Sequence, residues 1–163
     1  LKGDYSKGIC TTIALADKGQ IQDTGAKMIH IGKHTKSNIL SKSIARSGGN
    51  ASYRGLVKIT KDAKYSSANI KCDTILLDKI SKSDTFPTNI CENKTSSLEH
   101  EATVSKIDPK ELFYLMTKGL DENKATELLI MGFIDAFREE LPLEYAVELN
   151  QLLKGEKIKE CKR

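Results

Sequence analysis

The first two thirds of the chain alternate short apolar runs with polar residues and glycine. The clearest runs are three to five residues long and cover positions 28–31, 38–40, 55–59 and 73–77. Runs this short, bounded by glycine and aspartate, are typical of strands rather than helices. Because hairpin signals such as Asn-Gly are missing between them, the pattern disfavours a simple meander. It predicts a β domain and leaves a sandwich, a barrel and a solenoid open, since the spacing of ten to twenty residues between runs does not choose among them.

Further along, the apolar residues recur at helical spacing. Asp108 suits an N-cap and Pro109 the first helical position, while Gly119 suits the end of that helix. A second helix is predicted after Asp121 and a third from Pro142, each with one apolar face. Helices this short need another surface against which to bury that face, either within the protein or on a partner.

The two patterns divide the chain into a β domain over residues 1–107 and a helical domain over residues 108–163. Hydrophobic residues make up 39% and charged residues 29%, which is typical of a soluble globular protein. No run approaches the roughly 18 apolar residues of a membrane span, and the first residues do not form a secretory signal. The sequence opens at Leu1 without a methionine, so we expect it to be part of a longer protein.

Charge and composition narrow the possible partners. The net charge is only +4, and 22 lysines against 4 arginines are scattered along the chain. Nucleic-acid surfaces are usually arginine-rich with stacking aromatic residues, and aromatic residues make up only 6% here, so we expect no nucleic-acid partner. The lysine bias is typical of AT-rich coding and favours a plastid stroma or apicoplast over a bacterial cytoplasm. Either compartment would keep the cysteines reduced.

Four cysteines stand at positions 10, 72, 91 and 161, and no two of them form a C-x-x-C pair. A zinc ribbon or thioredoxin-type site is therefore disfavoured. Cys72 lies in a strand-like run in which Ile70 and Thr74 share its face. From the pattern alone it is either a small core residue or a thiolate that binds metal or accepts sulfur. Cys91 is expected on a coil, and the remaining two cysteines have no specific pattern.

The run Glu99-His100-Glu101 is unusual for a strand. Alternation places Glu99 and Glu101 on one face, and two carboxylates there repel unless solvent or a cation separates them. His100 points to the opposite face. The run is either a solvated edge or a group that faces a metal, since carboxylate and imidazole both bind iron.

Two other patterns carry no site. His30 and His34 have the spacing of a helical metal pair, but Gly32 lies between them in a stretch of strand and turn. Residues 47–50, Ser-Gly-Gly-Asn, lack the lysine and spacing of a P-loop and predict a turn.

Six runs, taken in order, resemble the SufB/SufD family of the SUF iron–sulfur cluster assembly machinery. They are residues 23–32, 52–57, 72–76, 85–87, 98–103 and 140–144. No single run would suffice, but together they extend over nearly the whole chain. SufD-type members typically have glycine where Glu101 stands here, so the chain groups with the SufB-type members.

The resemblance implies a mainly β fold, a right-handed parallel β-helix followed by a small C-terminal helical domain. It implies a scaffold on which iron–sulfur clusters are built and passed to apoproteins, not an enzyme. The expected partners are a SufC-like ATPase on the C-terminal helices, a SufD-like paralogue or a second SufB-type chain on the β-helix, and a sulfur donor of SufE type. The ATPase activity would reside in the SufC-like partner.

The resemblance also implies site residues. Cys72 matches the cysteine thought to ligate the nascent cluster, and Glu101 the carboxylate implicated beside it, with His100 and Glu99 as lesser candidates. Thiolate is the usual ligand of cluster iron, and a carboxylate or imidazole would release the product more readily. The upstream cysteine that accepts sulfur in the family has no counterpart here.

Two competing hypotheses follow from the same residues. The chain could be an enzyme in which Cys72, His100 and Glu101 carry out hydrolysis or group transfer, which requires a hydrogen bond between the thiol and the imidazole. It could also be a structural solenoid that presents its helices to an ATPase and in which Cys72 has no ligand role.

Overall fold

The computed structural model describes residues 1–138 and 143–153. Ten elements follow one another along the chain: β1 Lys7–Ala16, β2 Ile21–His30, β3 Lys36–Ala45, β4 Asn50–Ile59, β5 Ser67–Leu76, β6 Lys82–Cys91, β7 Ser97–Lys106, α1 Pro109–Thr117, α2 Glu122–Arg138 and α3 Leu143–Leu153. The chain divides into two compact units, Leu1–Lys106 and Ile107–Arg163. The β elements form the first unit and the helices form the second.

The strands alternate between two parallel sheets. Odd-numbered strands form one sheet in the order β1-β3-β5-β7, and even-numbered strands form the other in the order β2-β4-β6. Successive strands of the first sheet begin at Lys7, Lys36, Ser67 and Ser97, so each coil takes 29 to 31 residues. A chain that returns to the same sheet one strand further along in every coil is a solenoid. The predicted parallel β-helix is confirmed, with about three coils, and the sandwich and the barrel are excluded.

The strands are longer and more evenly spaced than the apolar runs indicated. Each is ten residues long, and β1 and β6 were not predicted. Pro87 made the stretch around it resemble a coil, but β6 has a neighbouring strand on one side only among the described residues, and proline is tolerated on such an edge. Cys91, expected on a coil, is the last residue of β6 and is exposed.

The core lies between the two sheets. Its main cluster consists of buried side chains from β3, β4, β5 and the loop after β4: Ile39, Tyr53, Val57, Ile59, Ala63, Ala68, Ile70 and Cys72. Four half-buried side chains pack against this cluster: Cys10, Ala26, Met28 and Leu98. Several inner positions are small and polar, including Ser37, Ser41 and Ser43 on β3. Those hydroxyls interrupt the apolar alternation, which is why the strands looked short in the sequence.

One corner of the solenoid is built from residues that repeat from coil to coil. Tyr5, His34 and Tyr65 all adopt positive φ, between 55° and 60°, and their rings stack at centroid distances of 4.7 and 5.2 Å. His34 therefore belongs to a surface stack, whereas His30 is buried. The two histidines therefore do not form a metal-binding pair, in agreement with the sequence-based prediction. Residues 47–50 form the predicted turn, with Ser47 and Gly48 at positive φ.

His30 gives the first unit a pH dependence that can be tested. Its ring nitrogens lie 2.7 Å from Thr35 Oγ1 and 2.9 Å from Ser37 Oγ, and burial lowers the pKa of the imidazole below its usual 6.5. Below about pH 6.5 the unfolded chain therefore binds a proton that the folded chain does not, so stability must fall as the pH drops. We expect His30→Gln to flatten this decline in urea-unfolding midpoints, and His34→Gln to leave it in place. An equal slope in all three proteins would contradict this account.

The second unit begins with the helix ends that the sequence predicted. The Asp108 carboxylate accepts a hydrogen bond from the Lys110 backbone N–H, and the Asp121 carboxylate from that of Lys124. Gly119, at φ +92°, follows the C-cap of α1. Helices α1 and α2 pack against each other. Pro142, the predicted start of the third helix, lies outside the described residues, as does Cys161. No helix within the described ranges is long and apolar enough to cross a membrane.

Candidate functional site

Cys72 lies in the middle of β5 on the inner face of the solenoid. Ile70, Cys72 and Thr74 are all buried, so the predicted sharing of a face is confirmed. In register, Cys72 pairs with Ser41 of β3 on one side and Ala102 of β7 on the other. Only 4% of the cysteine is exposed. The thiol therefore lies one strand inside the edge of its sheet and is almost wholly covered by its own chain.

Burial also fixes the ionisation state of this thiol. Desolvation raises the pKa of Cys72 to about 11, and the nearby negative charge of Asp73 adds to the effect. A thiolate is the form that binds iron or attacks sulfur, and at neutral pH the buried group is a thiol. Binding a metal here would therefore require loss of the proton to the metal, or movement that exposes the sulfur.

The two carboxylates of the unusual run lie on the outer face of β7. Glu99 and Glu101 are exposed, as alternation predicted. Lys71 on β5 is in register with Glu101, and its Nζ lies 3.9 Å from Glu101 Oε2 and 4.0 Å from Asp73 Oδ2. Exposed ion pairs of this length contribute little to stability. Lys71 thus lies between Glu101 and Asp73, and Glu101 stays exposed.

His100 faces the interior together with Leu98. Its Nδ1 lies 3.3 Å from the Asn89 amide nitrogen on β6, and its Nε2 is buried without a hydrogen-bond partner in the part of the chain that the structure describes. Burial lowers the pKa of the imidazole, so the ring is neutral at neutral pH. His100 and Asn89 together join the two sheets across the interior of the last coil.

The structure brings some of the predicted residues together and separates others. His100 pairs with Ile70 in register, two residues before the Ala102 that pairs with Cys72, so His100 and Cys72 share the inner face on neighbouring strands. Strand geometry places their Cα atoms roughly 8 Å apart. Glu99 and Glu101 lie on the opposite face of the same sheet. Throughout residues 1–138 and 143–153, no group of three or more His, Cys, Asp and Glu side chains is arranged to hold a metal ion.

The last coil opens the interior to solvent. Asn89 and Cys91 on β6 and Ala102 on β7 all occupy inner positions, yet all three are exposed. Beyond β6 and β7 no further strand is paired among the described residues. Cys72 therefore lies one strand inside an open end of the solenoid.

Two residues of this region were not predicted as site residues. Tyr53 on β4 is only 3% exposed and packs in the same cluster as Cys72, and Asn89 contacts His100. Both come from the even-numbered sheet, which faces Cys72 across the core. Tyr53 belongs to one of the runs that carried the family resemblance, but the sequence alone did not show that it lies near the cysteine.

Comparison with known proteins agrees with this arrangement. A sequence model described as "SUF system FeS cluster assembly, SufBD core domain" matches residues 1–133. The chain is 53% identical over 156 residues to the iron-sulfur cluster assembly protein SufB of Bacillus subtilis (strain 168). It is also 53% identical over 156 residues to SufBD family proteins of Staphylococcus epidermidis and Staphylococcus saprophyticus.

These alignments cover 96% of this chain but only 34% of each relative. The chain thus spans about a third of the length of the curated relatives that it matches. With the family's core domain matched over residues 1–133 and half of the aligned positions identical, the chain belongs to the SufB/SufD family of iron–sulfur cluster assembly proteins.

Proposed function

We propose that this chain is the assembly-site portion of a SufB-type scaffold, on which iron–sulfur clusters are built before transfer to apoproteins. The observation that carries the proposal is the position of Cys72, a thiol one strand inside the open end of the solenoid, with Glu101 on the adjoining edge strand. Thiolate is the usual protein ligand of cluster iron. A single thiol with an incomplete set of neighbours suits a site that a partner completes and that later releases its product.

The edge strands are the natural surface for that partner. β6 and β7 each expose the backbone groups of a strand edge, and such edges readily pair with a strand of another chain. A SufD-like paralogue, or a second SufB-type chain, would extend both sheets and cover Asn89, Cys91 and Ala102. It would bring its own ligand close to Cys72, and Glu101 would lie at the boundary of the joint site.

The separation of Cys72 from Glu101 adds a requirement to this proposal. Because the two side chains lie on opposite faces of one sheet, they can bind the same iron atom only if β7 moves. We propose that nucleotide-driven pairing of two SufC-like ATPases supplies that movement by straining the interface. Sulfur would come from a donor of SufE type.

The helices supply the surface for the ATPase. Several large apolar side chains on α1, α2 and α3 are exposed, among them Phe113, Tyr114, Leu128, Tyr145 and Val147. A solvent-exposed apolar set of this size is typical of a protein-binding surface. In this arrangement the nucleotide belongs to the SufC-like partner and the chain itself is not an enzyme.

Two observations disfavour the enzyme hypothesis. The pKa of Cys72 is raised to about 11, opposite to what a nucleophile needs, and His100 Nδ1 accepts a hydrogen bond from the Asn89 side chain rather than from the thiol. The compartment stays a prediction. The relatives reported above are bacterial, which agrees with a bacterial cytoplasm. The plastid hypothesis rests on the lysine bias alone.

The proposal is tested by anaerobic reconstitution of the full-length protein in its complex, with Glu101→Ala as the first variant. We expect Glu101→Ala to lower the iron and sulfide bound by about tenfold or more, the size of effect seen when a supporting ligand is removed. Asp62→Ala, which removes an exposed carboxylate from the turn after β4, serves as the control and should load normally. Normal loading of Glu101→Ala would remove that residue from the site.

A further inference from the structure

Several buried polar atoms of the first unit have no hydrogen-bond partner among the residues that the structure describes. They include Thr12 Oγ1, Tyr53 Oη and His100 Nε2, all on inner positions of the solenoid. Leaving a buried donor unpaired costs stability, and native proteins satisfy nearly all such groups. Three unpaired groups within one interior therefore leave hydrogen-bonding capacity for water or for an added ligand.

These atoms lie around Cys72. Thr12 occupies the same inner row as Ser41 and Cys72. Tyr53 packs in the same buried cluster, and burial raises its pKa to about 12, with any negative charge on Cys72 and Cys10 adding to the effect, so its hydroxyl keeps its proton. His100 is on the strand next to Cys72.

Asn89 determines what His100 can offer. Its amide nitrogen is placed to donate to His100 Nδ1, and a neutral imidazole that accepts at Nδ1 has its proton on Nε2. The unpaired Nε2 is then a hydrogen-bond donor that faces the interior. Tyr53 Oη is a second donor in the same interior; Cys72 belongs to the same buried cluster as Tyr53 and lies on the strand next to His100. A neutral thiol is a weak acceptor, whereas an anionic sulfur is a strong one.

Resting on the proposed function, we propose that Tyr53 Oη and His100 Nε2 donate the hydrogen bonds that hold an anionic sulfur at Cys72. Asn89 is the positioning residue that keeps the ring proton on Nε2. The sulfur is either the outer atom of a persulfide on Cys72 or the Cys72 sulfur itself when it binds iron. In both cases the acceptor is an anionic sulfur. His100 then acts as a hydrogen-bond donor, not as the iron ligand that the family resemblance allowed.

The persulfide case needs a persulfide donor of low molecular weight or on a partner protein. The Cys72 sulfur attacks the outer sulfur of the donor, a new S–S bond forms, and the S–S bond of the donor breaks. The donor leaves as a thiol that carries the proton lost from Cys72. No net oxidation or reduction occurs, and the outer sulfur on Cys72, once ionised, accepts from Tyr53 and His100.

Tyr53→Phe is the sharpest test, because it removes one unpaired oxygen and leaves the ring in place. We expect the urea-unfolding midpoint to stay the same or rise, since an unsatisfied buried hydroxyl is lost. The persulfide at Cys72, formed with cysteine persulfide in the absence of iron and measured on the alkylated peptide by mass spectrometry, should fall by about tenfold, the effect of losing one hydrogen bond to a charged acceptor. A second arm measures iron and sulfide loading without the persulfide donor and shows which sulfur is held.

Two further variants separate a donor from an iron ligand. His100→Gln keeps an N–H near the position of Nε2 and should retain most of the loading, whereas an iron-ligand role would be lost. The carboxylate of Asn89→Asp can only accept a hydrogen bond from Nδ1, so it draws the ring proton to Nδ1 and away from Nε2. This variant should lower loading, even though an unprotonated Nε2 would favour iron binding. Asn38→Asp, at an exposed outer position of β3, introduces the same carboxylate as a control.

The outcomes distinguish this inference from the proposed function. If Cys72→Ser loads normally, the proposed function fails. If Cys72→Ser fails to load but Tyr53→Phe loads like the parent in both arms, the scaffold function stands and the donor role is wrong. Loading that is lost in His100→Gln and retained in Asn89→Asp would assign His100 as an iron ligand and overturn the proposal for that residue.

Discussion

Replacing Cys72 with serine is expected to abolish cluster formation on the full-length protein while leaving its complex with the SufC-like and SufD-like partners intact. A serine hydroxyl is a far weaker ligand for cluster iron than a thiolate at neutral pH and cannot carry a persulfide. The substitution is nearly isosteric, and Ser41 in the same inner row shows that a hydroxyl is tolerated on this face. Burying the hydroxyl should cost about 1–3 kcal/mol, too little to unfold an ordinary domain.

The measurement is anaerobic reconstitution, followed by iron and sulfide content and the visible charge-transfer absorption. Size-exclusion chromatography of the same samples shows whether the complex forms. Cys10→Ser is the matched control, because Cys10 lies on β1, two strands from Cys72 in the same sheet and away from the edge strands β6 and β7. If Cys72→Ser loads a normal cluster, Cys72 is a core residue of a structural solenoid and the site assignment is wrong.

The sequence pattern predicted the type of fold elements better than their extent. The apolar runs at 38–40 and 55–59 lie within strands, those at 28–31 and 73–77 extend one residue beyond β2 and β5, and the helix starts at Asp108 and Asp121 are confirmed. The pattern missed β1 and β6, since a solenoid stacks small polar side chains on its inner face and the alternation is weak there. Strand partners are 29 to 32 residues apart, and no local rule specifies such a register.

The candidate site shows the same limit. Alternation correctly placed Glu99 and Glu101 on one face and His100 on the other, because that choice depends only on neighbouring residues. Whether Cys72 shares the face of His100 or of Glu101 depends on the register between β5 and β7. Tyr53 lies on the opposite sheet, so its proximity to Cys72 depends on how the two sheets face each other.

The register between β5 and β7 places Cys72 on the same inner face as His100. A thiol on the inner face is protected from oxidation and from stray metals while the complex rests, and its raised pKa keeps it unreactive. Any event that moves β7 would expose Cys72 and bring the outer carboxylates towards it. Protection and activation would then depend on one edge strand, which is also the surface proposed to bind a partner.

The largest effect on stability is expected from Gly25→Ala. Gly25 lies in the middle of β2, in register with Arg54 of β4, and a Cβ atom added there would overlap the Arg54 backbone carbonyl oxygen. A backbone atom in a paired strand cannot move aside without opening the ladder between β2 and β4. We expect the free energy of unfolding to fall by about 3 kcal/mol or more, at the upper end of the cost of overpacking.

Gly8→Ala is the control for this prediction. Gly8 also lies within a strand, but the atoms nearest to an added Cβ are the ends of the flexible Leu1 and Met28 side chains, at 3.2 to 3.4 Å. Those side chains can turn away, so we expect a change within about 1 kcal/mol in either direction. Urea denaturation of the full-length proteins would measure both values. Equal midpoints for the two variants would mean that β2 and β4 separate easily. Tyr53, which lies on β4, would then not be held firmly in the core cluster that contains Cys72.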